Sequence, residues 1–127
     1  MIVVDASVVV LGLLNDGDAR AKLRDEAVVC PHLADSEVAQ ALRAQVLRGE
    51  VEAAAATHAI DTWARLGIER VGVEGLLGRI WELRDNVSAY DATYVAVAEA
   101  FEAPLVTADG RLARAPGPRC TVMVVRR

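Results

Sequence analysis

The apolar residues of the chain occur in short β-branched runs and in longer stretches with helical spacing. Short runs without polar residues are typical of strands buried on both faces of a parallel sheet, whereas apolar positions three and four residues apart indicate helices. The sequence therefore predicts five strands, at Met1–Asp5, Ala27–Cys30, Ile68–Val73, Pro104–Thr107 and Thr121–Val125. Helices are predicted between them, over Ala6–Leu14, Ala19–Glu26, Leu33–Arg48, Val51–Leu66, Glu74–Arg84, Ala89–Phe101 and Ala108–Arg114.

This order of strands and helices predicts an α/β fold with a mostly parallel central sheet, in which Met1–Asp5 is the central strand. Right-handed crossovers then connect the strands, and ligands are expected outside the carboxyl ends of the strands. Leu33–Arg48 and Val51–Leu66 are expected to form an antiparallel helix pair. The length of 127 residues predicts one domain, spanning residues 1–127.

Composition excludes several classes of protein. No apolar stretch reaches the roughly 18 residues that a membrane helix needs, and no basic segment precedes the first apolar run, so we expect a cytoplasmic protein without a membrane partner. Cys30 and Cys120 lack C-x-x-C spacing and a nearby histidine pair, which predicts free thiols rather than a disulfide or a zinc site. The net charge of -4 argues against a protein that binds nucleic acid through a broadly basic surface.

Four carboxylates occupy positions that a parallel α/β fold would bring together. Asp5 ends the first strand and Asp109 follows the fourth, while Glu37 and Asp91 lie on apolar helix faces. Like charges at close range raise one another's pKa, and a divalent cation reverses that cost. Mg²⁺ prefers oxygen ligands and keeps several of its waters, so a few carboxylates suffice to hold it. The four acids therefore predict a metal site, and setting them aside leaves 14 acidic residues against 14 basic ones.

The aspartates at the strand ends also have a structural interpretation. Asp5 precedes a predicted helix and could serve only as its N-cap, which for an isolated aspartate is the commoner role. Asp109 alone could be an ordinary turn or N-cap aspartate. Ser7 could cap the first helix instead, which would leave the Asp5 carboxylate available for a ligand.

The two acids predicted within helices differ in whether they could serve as caps. Asp91 stands three residues after Ser88, the S-x-x-D spacing of a capping box. Glu37 lies in mid-helix and cannot cap anything, so its structural alternative is an ion pair with Arg43 or another arginine. The functional interpretation rests on all four acids together.

Other reactions catalysed by aspartate-rich α/β proteins require residues that this chain does not have. A phosphoaspartyl hydrolase needs a second aspartate two residues after the first, where this chain has Ser7. A receiver-type phosphoacceptor needs a lysine late in the chain, and Lys22 is the only lysine. Neither G-x-x-x-x-G-K nor G-x-G-x-x-G occurs. Among the chemistries considered, metal-assisted attack on a phosphodiester is the one that the residues of this chain still allow.

The chain resembles the PIN-domain ribonucleases, and within them the VapC-type toxins of bacterial toxin-antitoxin pairs, over nearly its whole length. The resemblance rests on Ile2–Ser7, Glu37, Ser88–Ala96 and Pro104–Leu112. It implies a three-layer α/β/α sandwich, a four-acid pocket for Mg²⁺ or Mn²⁺, and endonuclease activity on RNA. It also implies a homodimer and a VapB-type antitoxin whose tail occupies the pocket.

Carried over to this chain, the resemblance implies that Asp5 and Asp91 are the main metal ligands and that Glu37 and Asp109 complete the site. Ser7 and Thr107 are expected to support them through their hydroxyl groups. The expected reaction is hydrolysis by a metal-activated water, which leaves a 5′-phosphate and a 3′-hydroxyl. Transfer RNA is one candidate substrate. Two alternatives stay open: a module that binds RNA or antitoxin without cutting, and a nuclease directed at DNA or flaps.

Overall fold

The computed structural model of the protein describes residues 1–126 and contains a five-stranded sheet in the order β3-β2-β1-β4-β5. All four pairs of neighbouring strands are parallel, so the sheet is entirely rather than mostly parallel. The predicted central position of the first strand is confirmed. The strands are β1 (Ile2–Val4), β2 (Val28–Pro31), β3 (Glu69–Val71), β4 (Leu105–Thr107) and β5 (Val122–Val124).

The predicted helices are all present, with changes at their ends. Glu74–Arg84 differs most, because it divides into a 3-10 turn at Glu74–Leu76 and a short helix, followed by turns over residues 83–87. Gly75 and Gly78 lie within this segment, and glycine lowers helix propensity by about 1 kcal/mol relative to alanine. The helices are α1 (Ala6–Leu14), α2 (Asp18–Asp25), α3 (Leu33–Leu47), α4 (Ala53–Arg65), α5 (Leu77–Glu82), α6 (Ala89–Ala100) and α7 (Gly110–Arg114).

The connections between strands divide the helices into two layers. The chain moves outward from β1 through β2 to β3, and then returns past β1 to β4 and β5 on the other side. Because parallel crossovers are right-handed, this reversal places α1–α4 on one face of the sheet and α5–α7 on the other. Consistent with this, α1 packs against α3 and α4, and α6 packs against α5 and against β1, β2 and β4. The predicted three-layer sandwich is confirmed.

The core is built around β1, β4 and α6. Both strands are fully buried, and α6 buries seven consecutive residues, from Ala92 to Ala98. A helix that is apolar all round belongs in the interior, which is what its sequence predicted. Cys30 is buried and Cys120 is half-buried, and both are free thiols as expected. Within residues 1–126, none of the helices has the length and apolar character needed to cross a membrane.

A cluster of three residues fixes the orientation of α3, which carries Glu37. Trp63 Nε1, near the end of α4, donates a 2.7 Å hydrogen bond to Asp35 Oδ1 at the start of α3, which confirms the antiparallel pairing of these helices. Arg70 of β3 donates to the same carboxylate from Nε and Nη2 and lies 4.9 Å from the centre of the Trp63 ring. The hydrogen bond from Arg70 holds the pKa of the Asp35 carboxyl below its usual value.

Candidate active site

The four predicted acids line one cleft at the carboxyl ends of β1 and β4. The strand order reverses between these two strands, which is where open parallel sheets usually bind ligands. The cleft has a volume of about 700 Å³ and lies between α1, α3 and α6. Ser7 and Tyr94 also line the cleft. The four acids in its lining are Asp5, Glu37, Asp91 and Asp109.

Asp5 is the most deeply placed of the acids, with 7% of its surface exposed. Its Oδ1 accepts a hydrogen bond from the backbone N–H of Val8, so Asp5 itself is the N-cap of α1. The alternative in which Ser7 caps this helix is wrong. Instead, the Ser7 hydroxyl donates to Asp5 Oδ1 and the Thr107 hydroxyl donates to Asp5 Oδ2. Asp5 therefore caps its helix and presents a carboxylate to the cleft at the same time.

Ser7 and Thr107 connect Asp5 to the loop that follows β4. The backbone N–H of Ala108 donates to Ser7 Oγ at 2.9 Å, and that of Asp109 donates to Thr107 Oγ1 at 3.0 Å. A hydroxyl has one proton to donate, and each of these two gives it to Asp5. Both contacts favour the ionised form of Asp5, and they fix its carboxylate relative to the loop that carries Asp109.

We expect a Thr107→Val chain to cleave RNA about 10- to 100-fold more slowly than the parent, the usual cost of losing a hydrogen-bond partner of a metal ligand. The change keeps the side-chain shape and removes only the hydroxyl that orients Asp5. Initial cleavage rates at saturating Mg²⁺ measure the effect. Thr93→Val is the matched control, since its hydroxyl donates to the Ala89 carbonyl of its own helix. Equal rates for both variants would refute this role of Thr107.

Glu37 reaches the cleft from the second turn of α3. Among the described residues its hydrogen-bond partner is the hydroxyl of Tyr94, which donates to Glu37 Oε1 at 2.6 Å. In the part of the chain that the structure describes, Glu37 thus forms no ion pair with Arg43 or another arginine, contrary to that alternative. Burial, followed by the hydrogen bond to Glu37, raises the pKa of Tyr94 far above its usual value, so the phenol remains a donor.

Asp91 lies in the first turn of α6, Asp109 is the N-cap of α7, and both line the cleft. The backbone N–H of Asp91 donates to Ser88 Oγ at 3.1 Å, which confirms that Ser88 caps α6. Asp109 caps α7 by accepting from the backbone N–H of Arg111 at 2.9 Å, and it also pairs with the Arg111 guanidinium. Because these bonds leave both carboxylates along the cleft, the capping and functional interpretations coexist.

Burial and mutual repulsion make the cleft unfavourable for so many ionised acids. Burial raises the pKa of Asp5. It also raises the pKa of Glu37, to which the charges of Asp91 and Asp5 add. The pKa of Asp91 rises for the same reason, with Asp5 and Asp109 as the neighbouring charges. A cation in the cleft would remove this repulsion.

The donor set of the cleft suits a hard divalent cation, since it consists of carboxylate and hydroxyl oxygens. Within residues 1–126, however, no group of three or more His, Cys, Asp or Glu side chains is arranged to hold a metal ion by itself. Mg²⁺ is commonly bound through one or two carboxylates together with waters and substrate phosphate, so the two observations are compatible.

A comparison with protein families decides which family the chain belongs to. The sequence model of the PIN-domain family matches residues 2–118. The chain belongs to the PIN-domain family. This PIN domain is 50% identical to ribonuclease VapC9 of Mycobacterium tuberculosis over 127 residues, which cover 100% of both chains. It is 42% identical to ribonuclease VapC1 of the same organism over 129 residues, covering 98% of this chain and 97% of the relative.

The solved structure of PAE2754 from Pyrobaculum aerophilum has the same architecture. It superimposes with a TM-score of 0.67 at 26% sequence identity, covering 89% of this chain and 84% of that one. The family match and the VapC relatives confirm the predicted resemblance to VapC-type PIN domains.

Sequence reasoning did not assign a role to Tyr94, although this residue belongs to the segment that carries the family resemblance. One signal for it exists in the sequence. Tyr94 stands three residues after Asp91, and residues at this spacing lie on the same face of a helix. A polar aromatic residue one turn from a candidate ligand, within the mostly apolar buried stretch Ala92–Ala98, indicates a second contribution of α6 to the site.

Proposed function

We propose that this VapC-type PIN domain is a Mg²⁺-dependent endoribonuclease and the toxic component of a type II toxin-antitoxin pair. The observation that carries the proposal is the convergence of Asp5, Glu37, Asp91 and Asp109 on one cleft at the switch point of the sheet. The relatives at 50% and 42% identity are named as ribonucleases, which supports RNA as the substrate.

The side chains of the cleft supply the oxygen ligands, and their hydrogen-bond partners orient them. A bound Mg²⁺ or Mn²⁺ would supply a water of lowered pKa and neutralise charge on the phosphate. Asp5 and Asp91 are the proposed main ligands, with Glu37 and Asp109 completing the site. Asp5 is kept as an acceptor by two hydroxyl groups, Glu37 is fixed through one oxygen, and Asp109 is fixed by its helix cap. The proposed products carry a 5′-phosphate and a 3′-hydroxyl.

The proposed partners follow from the same family membership. We propose a VapB-type antitoxin as the protein partner, RNA as the substrate with transfer RNA as one candidate, and a homodimer as the assembled form. Since RNA and an antitoxin are its proposed partners, we propose the cytoplasm as the site of action. Several large apolar side chains are exposed on the isolated chain, among them Leu47, Leu77 and Val124, which supports burial against a second protein surface.

Cleavage assays on the purified, antitoxin-free chain test the proposed function. Total RNA and transfer RNA are incubated with Mg²⁺, Mn²⁺ or EDTA, and single-stranded and flap DNA are run in parallel. The proposal predicts discrete RNA fragments with 5′-phosphate ends when either metal is present and intact RNA in EDTA. A folded chain that binds its antitoxin but cuts no RNA with either metal would contradict catalysis and favour the binding module. Cleavage confined to DNA would favour the other alternative.

A further inference from the structure

The Tyr94 side chain is an unusual partner for an acid in this cleft. Only 1% of its surface is exposed, and its hydroxyl donates to Glu37 Oε1 at 2.6 Å across 57 positions of sequence. The hydrogen bond joins α6 to α3, two helices that lie in different layers of the fold. A phenol in such a place fixes the position of a carboxylate without adding any charge to the cleft.

The choice of a neutral donor matters for a site that must attract a cation. An arginine at this position could also have donated a hydrogen bond to Glu37. Its positive charge, however, would neutralise the negative charge of the carboxylate and repel a metal ion. The hydroxyl engages only Oε1, and no other hydrogen bond or ion pair to Glu37 occurs within residues 1–126. The phenol therefore adds no opposing charge beside Glu37, whose second oxygen, Oε2, remains for the cleft that it lines.

The placement of Tyr94 on α6 couples two of the four acids. Asp91 and Tyr94 are three residues apart and line the same cleft, so one face of α6 supplies a carboxylate directly and orients another from α3. The distance between the two candidate ligands is then set through one buried helix. Errors of about 1 Å in the position of a reacting group cost about 100-fold in rate, so a fixed distance has functional value.

We propose that Tyr94 is a positioning residue, which holds Glu37 in the orientation that the metal site requires. This inference rests on the proposed function, because it concerns the same site. Tyr94 acts through Glu37 and touches neither the substrate nor the reacting atoms. Its removal should therefore weaken metal binding and turnover, and should leave the KM for RNA unchanged.

The test compares the parent chain with Tyr94→Phe, in which the aromatic ring and its packing remain and only the hydroxyl is lost. We expect Mn²⁺ binding, measured by calorimetry without RNA, to weaken about 10-fold, and kcat at a fixed metal concentration to fall about 10- to 100-fold. Thermal unfolding confirms that the variant is folded. Tyr90→Phe is the matched control, because Tyr90 is 62% exposed on the same helix and should behave like the parent.

A double-mutant cycle separates positioning from a general structural effect. In a Glu37→Gln background the carboxylate is already lost, so adding Tyr94→Phe should change Mn²⁺ binding by less than about twofold. An equal loss in both backgrounds, or a Tyr94→Phe chain that matches the parent in Mn²⁺ affinity and kcat, would overturn the inference alone. A parent chain that neither binds Mn²⁺ nor cuts RNA would overturn the proposed function and this inference with it.

Discussion

An Asp5→Asn chain is expected to remain folded and to lose metal-dependent RNA cleavage by more than about 100-fold. Losing a hydrogen-bond partner of a metal ligand typically costs about 10- to 100-fold, and losing the ligand's charge should cost more. The fold should survive, because asparagine is as good an N-cap as aspartate and has nearly the same volume. Initial rates of RNA cleavage with Mg²⁺ measure the loss.

The stability of the same variant provides its control. Burial raises the pKa of Asp5, so ionising this group costs more in the folded than in the unfolded chain. When the pKa of a carboxyl is higher in the folded than in the unfolded chain, the free energy of unfolding falls as the pH rises from the lower of these pKa values through the higher. At neutral pH the folded chain therefore carries the cost of the ionised Asp5 carboxylate. Asp5→Asn removes that cost, so the metal-free melting temperature at neutral pH should not fall markedly. A folded Asp5→Asn chain that cuts RNA at the parental rate would contradict the role assigned to Asp5.

Trp63→Ala is expected to cause the largest loss of stability, about 3–5 kcal/mol in the free energy of unfolding. The Trp63 side chain is only 3% exposed, and its Nε1 donates to Asp35, so the change creates a cavity and removes a hydrogen bond. It also releases the contact that ties α4 to the start of α3, two residues before Glu37. Urea denaturation at equilibrium, with an unchanged m-value, gives the difference.

Trp81→Ala is the matched control for that prediction. It makes the same substitution in α5, where the side chain is 67% exposed and stacks on Arg84 at the surface. Surface substitutions of this kind change stability by about 0.5 kcal/mol or less. Similar losses for the two tryptophans would show that the Trp63, Asp35 and Arg70 cluster does not anchor α3.

The sequence was informative wherever a feature depended on the order of elements alone. The run Ile2–Val4 has no polar position, which is sufficient to predict a buried parallel strand. Once the strands are parallel, their carboxyl ends meet at one edge of the sheet, so the approach of Asp5 to Asp109 follows from chain order. The apolar character of α6 likewise predicted its burial, and with it the inward position of Asp91.

Features that depend on which side chains meet across the fold could not be predicted. Glu37 had several arginines available as partners, and its choice of Tyr94 depends on how α3 and α6 are placed relative to each other. Asp5 rather than Ser7 caps α1, and the other oxygen of its carboxylate is bound by Thr107, which lies 102 positions away from Asp5. Asp35 was likewise indistinguishable from an ordinary surface aspartate until α4 and β3 were in place.

The most direct test of a metal centre is Mn²⁺ binding to the RNA-free chain, measured by calorimetry for the parent, Asp91→Asn and Asp61→Asn. Asp61 is an exposed acid of α4 outside the cleft, so its loss removes the same charge at another place. We expect the parent and Asp61→Asn to bind Mn²⁺ alike and Asp91→Asn to bind at least about 10-fold more weakly. Equal Mn²⁺ binding by all three chains would contradict a metal centre formed by the acids of the cleft.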